Sequence, residues 1–287
     1  MDKKLTAAAL AAQRREVTEH HVYMRLSKLC KDANNAEVLR SLSEAEKGHA
    51  LYWQKITGME LKPFRLKIFW NILKARLLGL TFTLKQMEKN EGSASKNYMM
   101  LAKGIPEAAD IAREETEHEK KLLGMLDEEL LQFVGSVVLG LNDALMELTG
   151  VLAGFTLALG STKLISMAGL VAGISASLSG AAANYLSRRA ENDPRAAKSA
   201  LYTGITYVST VALLIMPFLL IQNKFIALVS TLAVAVLLIM LFNYYLATAR
   251  DLDFKHRFLE MTIISLGVAA LSFGVGYIMS RLLGVDV

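Results

Sequence analysis

Residues 114–150 read EETEHEKKLLGMLDEELLQFVGSVVLGLNDALMELTG, and this stretch decides the fold because it joins two kinds of sequence. Its first part is charged and contains the pair Glu115-x-x-His118, whereas the chain after Leu130 is mostly Leu, Ala, Val, Ile, Gly and Ser. Because the two residues are three positions apart, both side chains of the pair lie on one face of a helix. The change in composition therefore predicts an all-α chain in which a charged helical domain is followed directly by a membrane domain.

The charged domain, which we place at residues 1–130, repeats the pattern of a carboxylate three residues before a second ligand. Each of its four predicted helices provides at least one carboxylate, and two of them also provide an imidazole. Two Glu-x-x-His helices with two further carboxylate helices form the di-iron or di-manganese site of a four-helix bundle, with ligands that suit Fe and Mn. The candidate ligands are Glu16, Glu46, His49, Glu88, Glu91, Glu115 and His118.

Other carboxylates compete with these ligands. Glu19 is the chief rival of Glu16 in the first helix, and Glu91 is the rival of Glu88 at the end of the third. A helix rich in Glu also exposes carboxylates to water without any metal. We assign this solvated role to the acidic residues that lie near the pairs, which are Glu19, Glu37, Glu44, Glu114, Glu117 and Glu119.

Capping residues and prolines define the four helices. Asp32 and Gly58 frame the second helix, and Pro63 and Pro106 stand at the starts of the third and fourth. The third helix begins with basic residues interleaved with Phe and Trp, which suits either a helix near anionic headgroups or an ordinary bundle helix. The expected bounds are residues 4–31, 34–57, 63–88 and 106–130.

The membrane domain, which we place at residues 131–287, contains five apolar runs. Each run is long enough to cross about 30 Å of hydrocarbon as a helix. Basic residues gather in the loops at 188–198 and 250–257, which by the positive-inside bias face the cytoplasm. We therefore expect a multi-pass protein of the cell (inner) membrane with a cytoplasmic N-terminal domain and its C-terminus outside. The runs are residues 130–162, 164–186, 201–221, 225–249 and 259–279.

Composition excludes several alternatives. The net charge is +5, but neither a basic face nor a recognition motif for nucleic acid is present. The single cysteine, Cys30, rules out an internal disulfide and fits a reducing cytosol for the first domain. The N-terminus leads into a charged amphipathic helix and has no apolar core of a signal peptide.

Two acidic residues, Asp143 and Glu147, interrupt the first apolar run. Because they are four residues apart, they lie on one face of the helix. A charge at mid-membrane depth costs about 2.5–3.5 kcal/mol on insertion scales, so such a pair indicates an ion or proton pathway. Met146 lies between them and offers a soft ligand, although methionine in an apolar span is usually filler.

Two known families resemble the two halves. Glu16 with Tyr23 seven residues later, together with the two Glu-x-x-His pairs, resembles rubrerythrin and ferritin-like domains. Residues 140–150, GLNDALMELTG, and residues 175–191 are similar to the vacuolar iron transporter family. The two halves joined resemble membrane-bound ferritin proteins, which implies a ferritin-like four-helix bundle followed by a five-helix transmembrane domain.

The resemblance implies a homodimer that moves Fe(II) or Mn(II) out of the cytosol in exchange for protons, with Asp143 on the ion path. Gly180 and Asn184 stand where relatives carry Met and Glu, so the path would lose a thioether and a carboxylate. We keep Asp143, Met146, Glu147 and Asn184 as pathway candidates. The alternatives are a membrane-anchored di-iron oxidoreductase, such as a ferroxidase or peroxidase, and an interaction scaffold without metal.

Overall fold

The computed structural model describes residues 3–87, 98, 101–102, 104–123, 133–250 and 252–283. Throughout these residues the regular structure is helical, and no strand occurs among them. The chain divides into two compact units, residues 1–128 and residues 129–287.

The N-terminal unit is built from helices whose ends follow the capping signals. Asp32 caps the second helix by accepting a hydrogen bond from the backbone N–H of Asn35 at 2.8 Å. Gly58 ends the same helix in the left-handed region, with φ of 67°. The helices are α1 (Lys3–Ser27), α2 (Ala33–Thr57), α3 (Arg65–Leu78), α4 (residues 80–87) and α5 (Ala108–Leu123).

The third predicted helix is not continuous. Gly79 separates α3 from α4 with φ of 93° and ψ of 161°, a backbone conformation that glycine adopts far more readily than other residues. The prediction of one helix over 63–88 was therefore wrong, and the lone glycine in a helical pattern was the signal for the break. The expected continuation of the fourth helix to residue 130 lies outside the described residues.

Two apolar clusters form the core of this unit. Helix α1 packs on α2 and α3, and α2 packs on α5. Tyr23 and Leu39 centre one cluster between α1, α2, α3 and α4. Trp53 centres the other and stacks on Tyr98 with ring centroids 5.9 Å apart. The buried polar residues described below lie on the same helices that carry these clusters.

Within its described residues, 133–250 and 252–283, the second unit contains five helices that are long and apolar enough to cross a membrane, as expected. Helix α8 contacts α6, α7 and α9, and α10 packs on the second half of α6. The chain therefore fits a multi-pass membrane protein. The helices are α6 (Val134–Ala158), α7 (Thr162–Ala190), α8 (Ala196–Leu220), α9 (Lys224–Ala249) and α10 (Phe254–Leu283).

Helix α6 is not a uniform α-helix. Residues Ala144–Leu148 form a π-helical turn between two α-helical halves. A π turn spreads one turn over an extra residue, so the two halves of α6 present different faces to their neighbours. Such turns are rare and occur frequently at functional sites, and this one begins directly after Asp143 and contains Glu147.

Glycines of the membrane unit are used for packing inside the chain. A Cβ at Gly140 would collide with the backbone carbonyl of Thr203 in α8, and one at Gly276 would lie 2.9 Å from the carbonyl oxygen of Gly154. Gly140 therefore serves close packing inside the chain, because its open side receives α8 of the same chain.

Candidate metal centre

Four predicted ligands converge inside the N-terminal unit. One ligand atom from each of Glu16, Glu46, His49 and Glu115 lies within 4.8 Å of the others. Helix α1 supplies the first, α2 the next two and α5 the last. Three helices thus bring into one group residues that are far apart in sequence, and this group could hold a metal ion.

The imidazole of His49 faces the three carboxylates. Its Nδ1 lies 3.1 Å from Glu115 Oε1, 3.5 Å from Glu46 Oε2 and 4.0 Å from Glu16 Oε2. His118 approaches from the other side, with its Nδ1 3.4 Å from the second oxygen of Glu46, Oε1. The two imidazole rings stack with centroids 5.8 Å apart. Glu46 therefore lies between the imidazoles of His49 and His118.

The group fits a cation because its inward atoms lack hydrogen-bond partners. Glu16 Oε2, Glu46 Oε2, His49 Nδ1 and Glu115 Oε1 are all buried and make no hydrogen bond. Buried polar atoms in proteins are nearly always hydrogen-bonded. Carboxylate oxygens and an imidazole nitrogen that face one another at this spacing are the donor set that Fe(II) and Mn(II) accept.

Glu114 orients His49 from outside the group. The other ring nitrogen of His49, Nε2, donates a hydrogen bond to Glu114 Oε2 at 2.9 Å. Histidines that bind metal commonly donate their second N–H to a carboxylate, which fixes the tautomer. We had assigned Glu114 to the solvated face. Its side chain is 54% exposed, but its contact with His49 gives it a role that the adjacent Glu115-x-x-His118 pattern had obscured.

Glu16 and Glu19 have separate environments. Glu19 was expected on the solvated face, and this was wrong, because its side chain is only 3% exposed. Lys67 contacts Glu19 Oε1 at 3.0 Å and Arg15 lies 3.6 Å from Oε2, so cations neutralise both of its oxygens. Glu16 instead directs Oε2 into the metal group. Glu88 and Glu91 lie outside the described residues.

Crowding of buried carboxylates shifts the protonation of the group. Burial raises the pKa of Glu16 well above its usual value, and the Glu46 and Glu115 carboxylates raise it further against the opposing effect of Arg15. Burial also raises the pKa of Glu46 to about 7. Burial lowers the pKa of His49, but the carboxylates of Glu115, Glu46 and Glu114 outweigh this and raise it to about 11. Without metal, protons supply the positive charge that the group requires.

A second acidic group lies in the membrane unit. Asp143 is half-buried at the end of the first half of α6, and Glu147 lies on the π turn that follows. Tyr207 of α8, which is buried, donates a hydrogen bond from its hydroxyl to Glu147 Oε2 at 2.8 Å. No pattern in the sequence indicated this tyrosine, because a single Tyr in an apolar span is not distinctive.

The comparisons with known proteins bear on this unit. Residues 134–198 match the model of the VIT family, the vacuolar iron transporters. The match covers α6, α7 and the start of α8, so it includes Asp143, Glu147 and the π turn. No curated protein matches the sequence. The match to the VIT family suggests transport of metal ions across a membrane.

The other two pathway candidates lie in different surroundings within the VIT-matched segment. Met146 lines a cavity of about 460 Å³ together with Asn243 of α9 and Met261 of α10, whereas Glu147 contacts α8. Asn184 accepts a hydrogen bond from the Ser199 hydroxyl at 2.5 Å. That hydroxyl is also 2.6 Å from the hydroxyl of Ser136. Asn184 thus belongs to a polar network that joins α6, α7 and α8.

Proposed function

We propose that this protein exports Fe(II) or Mn(II) from the cytosol in exchange for protons, and that its N-terminal unit captures the metal in a ferritin-like di-metal bundle. The observation that carries the proposal is the match of residues 134–198 to the VIT family, in a segment with two carboxylates on a helix long enough to span a bilayer. Neither the fold nor the comparisons support the alternative of a membrane-anchored oxidoreductase.

In this proposal, the acidic residues of α6 bind the metal ion as it crosses the membrane. Asp143 and Glu147 offer hard oxygen ligands to a partly dehydrated divalent ion, which compensates for part of the water that the ion leaves behind. The hydroxyl of Tyr207 holds one oxygen of Glu147 and leaves the other for a ligand. Because Gly180 and Asn184 replace the thioether and carboxylate of relatives, the path depends on hard ligands, which favour Mn(II) and Fe(II) over soft ions.

The N-terminal group supports metal capture before transport. Its described members are Glu16, Glu46, His49 and Glu115, with His118 against Glu46. In the proposed di-metal centre, Glu88 or Glu91 would add a further carboxylate, and Glu46, which lies near both His49 and His118, would help to hold the metal. When bound, the metal would neutralise the crowded carboxylates and accept the Nδ1 lone pair of His49.

Orientation and assembly complete the proposal. The basic loops at 188–198 and 250–257 support the proposal that residues 1–130 lie on the cytoplasmic side of the inner membrane and the C-terminus outside. We propose a homodimer in which the carboxylates of α6 face a shared path. Glu147 is exposed in the single chain, and a charged group at that depth requires either a partner or water.

Uptake of Mn(II) and Fe(II) into vesicles that contain the reconstituted protein tests this function. Asp143→Asn and Glu147→Gln keep the side-chain shape but remove the charge, so flux should fall to near the level of protein-free vesicles. Glu191→Gln, at the exposed C-terminal end of α7, is the matched control and should transport like the wild type. Equal flux in Asp143→Asn and wild type would contradict the proposal and would indicate that the membrane unit serves only as an anchor.

A further inference from the structure

Helix α3 has an apolar face that is exposed within the part of the N-terminal unit that the structure describes. Ile68 and Asn71 are buried on its inner side. On the opposite side Leu66 is 67% exposed, Trp70 51% and Leu77 72%. With 100° per residue, positions 66, 69, 70, 73 and 77 form a single stripe. We call Leu66, Phe69, Trp70, Leu73 and Leu77 the α3 outer face.

Basic residues border the α3 outer face on both sides. Helical geometry places Lys67 and Lys74 along one edge and Arg65 and Arg76 along the other. Lys67 contacts Glu19 and Lys74 contacts Gln86, whereas Arg65 and Arg76 are exposed. The whole segment 61–87 contains no Asp or Glu and has six basic residues. The border of this apolar surface therefore carries only basic side chains, of which Lys67 is paired with Glu19.

This pattern is that of a helix that lies in a membrane interface. Apolar and aromatic side chains on one side, with Lys and Arg at the edges, bury about 5–10 Å into the headgroup and acyl boundary of anionic lipid. Each basic residue near an anionic surface adds about 1 kcal/mol of attraction. The 14 residues of α3 are too few to span a bilayer, which takes about 20, so the helix can lie on a membrane but cannot cross it.

A second copy of the chain fits this surface less well. In a two-fold contact through the same face, each partner would present the same residues. Arg65 and Arg76 of one copy would then approach the basic border of the other, and like charges would repel. An anionic bilayer has the complementary charge, and the same chain carries helices that are long and apolar enough to cross a bilayer.

We propose that the α3 outer face binds the surface of an anionic lipid bilayer, with Trp70 and Phe69 inserted at the boundary between headgroups and acyl chains. This contact would hold the metal-binding unit against the membrane, independently of which ion the membrane unit moves. Of the two roles that the sequence left open for this segment, the proposal adopts the helix near anionic headgroups.

The two tryptophans of the chain make the proposal testable in the full-length protein. Trp53 is fully buried in the core, and Trp70 lies on the α3 outer face. Trp53→Phe leaves Trp70 as the only fluorophore, and Trp70→Phe leaves Trp53 as the matched control. In bilayers with phosphatidylglycerol and lipids brominated near the headgroup, Trp70 should be strongly quenched by the brominated chains and protected from iodide. Trp53 should respond to neither quencher.

Two further measurements complete the test: the effect of removing basic residues on the quenching of Trp70, and a difference between the emission of two proteins that isolates the Trp70 signal. The first uses the double variant Arg65→Gln and Arg76→Gln in the Trp53→Phe background. In anionic bilayers, quenching of its Trp70 by brominated lipid should fall towards the value found in neutral bilayers. Arg40→Gln, on the exposed side of α2, should leave it unchanged. If Trp53→Phe does not fold, wild-type emission minus that of Trp70→Phe gives the Trp70 signal without a change in the core.

Two outcomes would overturn the proposal. Strong quenching of Trp70 by iodide, without quenching by brominated lipid, would show that the face is in water. Protection from both quenchers would show that a protein surface covers it, either a second copy or another part of the chain. Dilution into excess lipid distinguishes these, because only a contact with a second copy would be lost.

Discussion

At the scale of single residues, the metal group is defined by the direction of each carboxylate. Glu16 and Glu19 are three residues apart on α1, so helical periodicity places both on the same side and leaves the ligand undecided. The structure separates them because Lys67 and Arg15 neutralise Glu19, while Glu16 Oε2 has no hydrogen-bond partner. The pairing partner Lys67 comes from α3, and no local pattern in the sequence indicates that contact.

This difference makes Glu16→Gln and Glu19→Gln a matched pair. We expect Glu16→Gln to weaken Mn(II) binding by about 100-fold or more, since loss of an outer partner alone costs roughly 10–100-fold. Glu19→Gln should lower thermal stability, because Lys67 loses its ion pair, but should retain the bound metal. Metal analysis and titration of the purified full-length protein measure both, with an expected content of about two ions per chain. Equal losses of affinity in the two variants would contradict the assignment of Glu16.

The protonation of the group predicts a pH dependence for the metal-free protein. The pKa of Glu46 is about 7 in the folded protein against an ordinary 4.5, so the folded state holds the proton more tightly than the unfolded chain. Its contribution to stability is present below pH 4.5 and is lost as the pH rises to about 7. His49, with its pKa raised from 6.5 to about 11, adds a loss in the same direction above pH 6.5. Glu114 acts oppositely, but it is mostly exposed and screened.

Stability should therefore decrease between pH 5 and pH 7 without metal, and saturating Mn(II) should remove most of this slope because it replaces the protons. The emission of Trp53 in the Trp70→Phe variant follows unfolding of the N-terminal unit. Glu46→Gln should also flatten the metal-free profile. Stability that rises from pH 5 to pH 7 without metal would contradict the protonation state described here.

At the scale of helices, composition and caps predicted much of what the structure contains. Asp32 and Gly58 bracket α2, and the five apolar runs correspond to α6–α10 within a few residues. The π turn of α6 could not be predicted, because residues 144–148 satisfy an α-helical pattern equally well and only packing against neighbouring helices selects the wider turn. The break at Gly79 could have been predicted from the glycine itself.

Close helix packing gives a prediction at this scale. Gly140→Val should destabilise the membrane unit by about 1–3 kcal/mol, the usual cost of overpacking, or prevent its folding, since the new side chain meets the backbone of Thr203. Gly267→Val, on α10 with open space around it, is the control and should leave stability unchanged. The midpoint of thermal unfolding in detergent measures both variants. A neutral effect of Gly140→Val would show that α6 and α8 are not in this contact.

At the scale of the whole molecule, the change of composition at Leu130 predicted that charged and apolar halves would be distinct, and the chain divides into units at residues 128 and 129. Three of the predicted ligand helices bring their residues together, as the Glu-x-x-His spacing suggested. Contacts between distant segments, such as Tyr207 with Glu147 or Glu114 with His49, could not be predicted, because each depends on how separate helices are placed in space.

Net accumulation of Mn(II) driven by a proton gradient is the decisive measurement of whether the chain moves a divalent metal through the membrane. Mn(II) and internal pH are followed together in vesicles that contain the wild-type protein and have an acidic interior. We expect Mn(II) to accumulate inside above its external concentration while protons leave, and we expect both fluxes to be lost together in Asp143→Asn. No protein-dependent entry of Mn(II) or Fe(II) at any imposed gradient would contradict it.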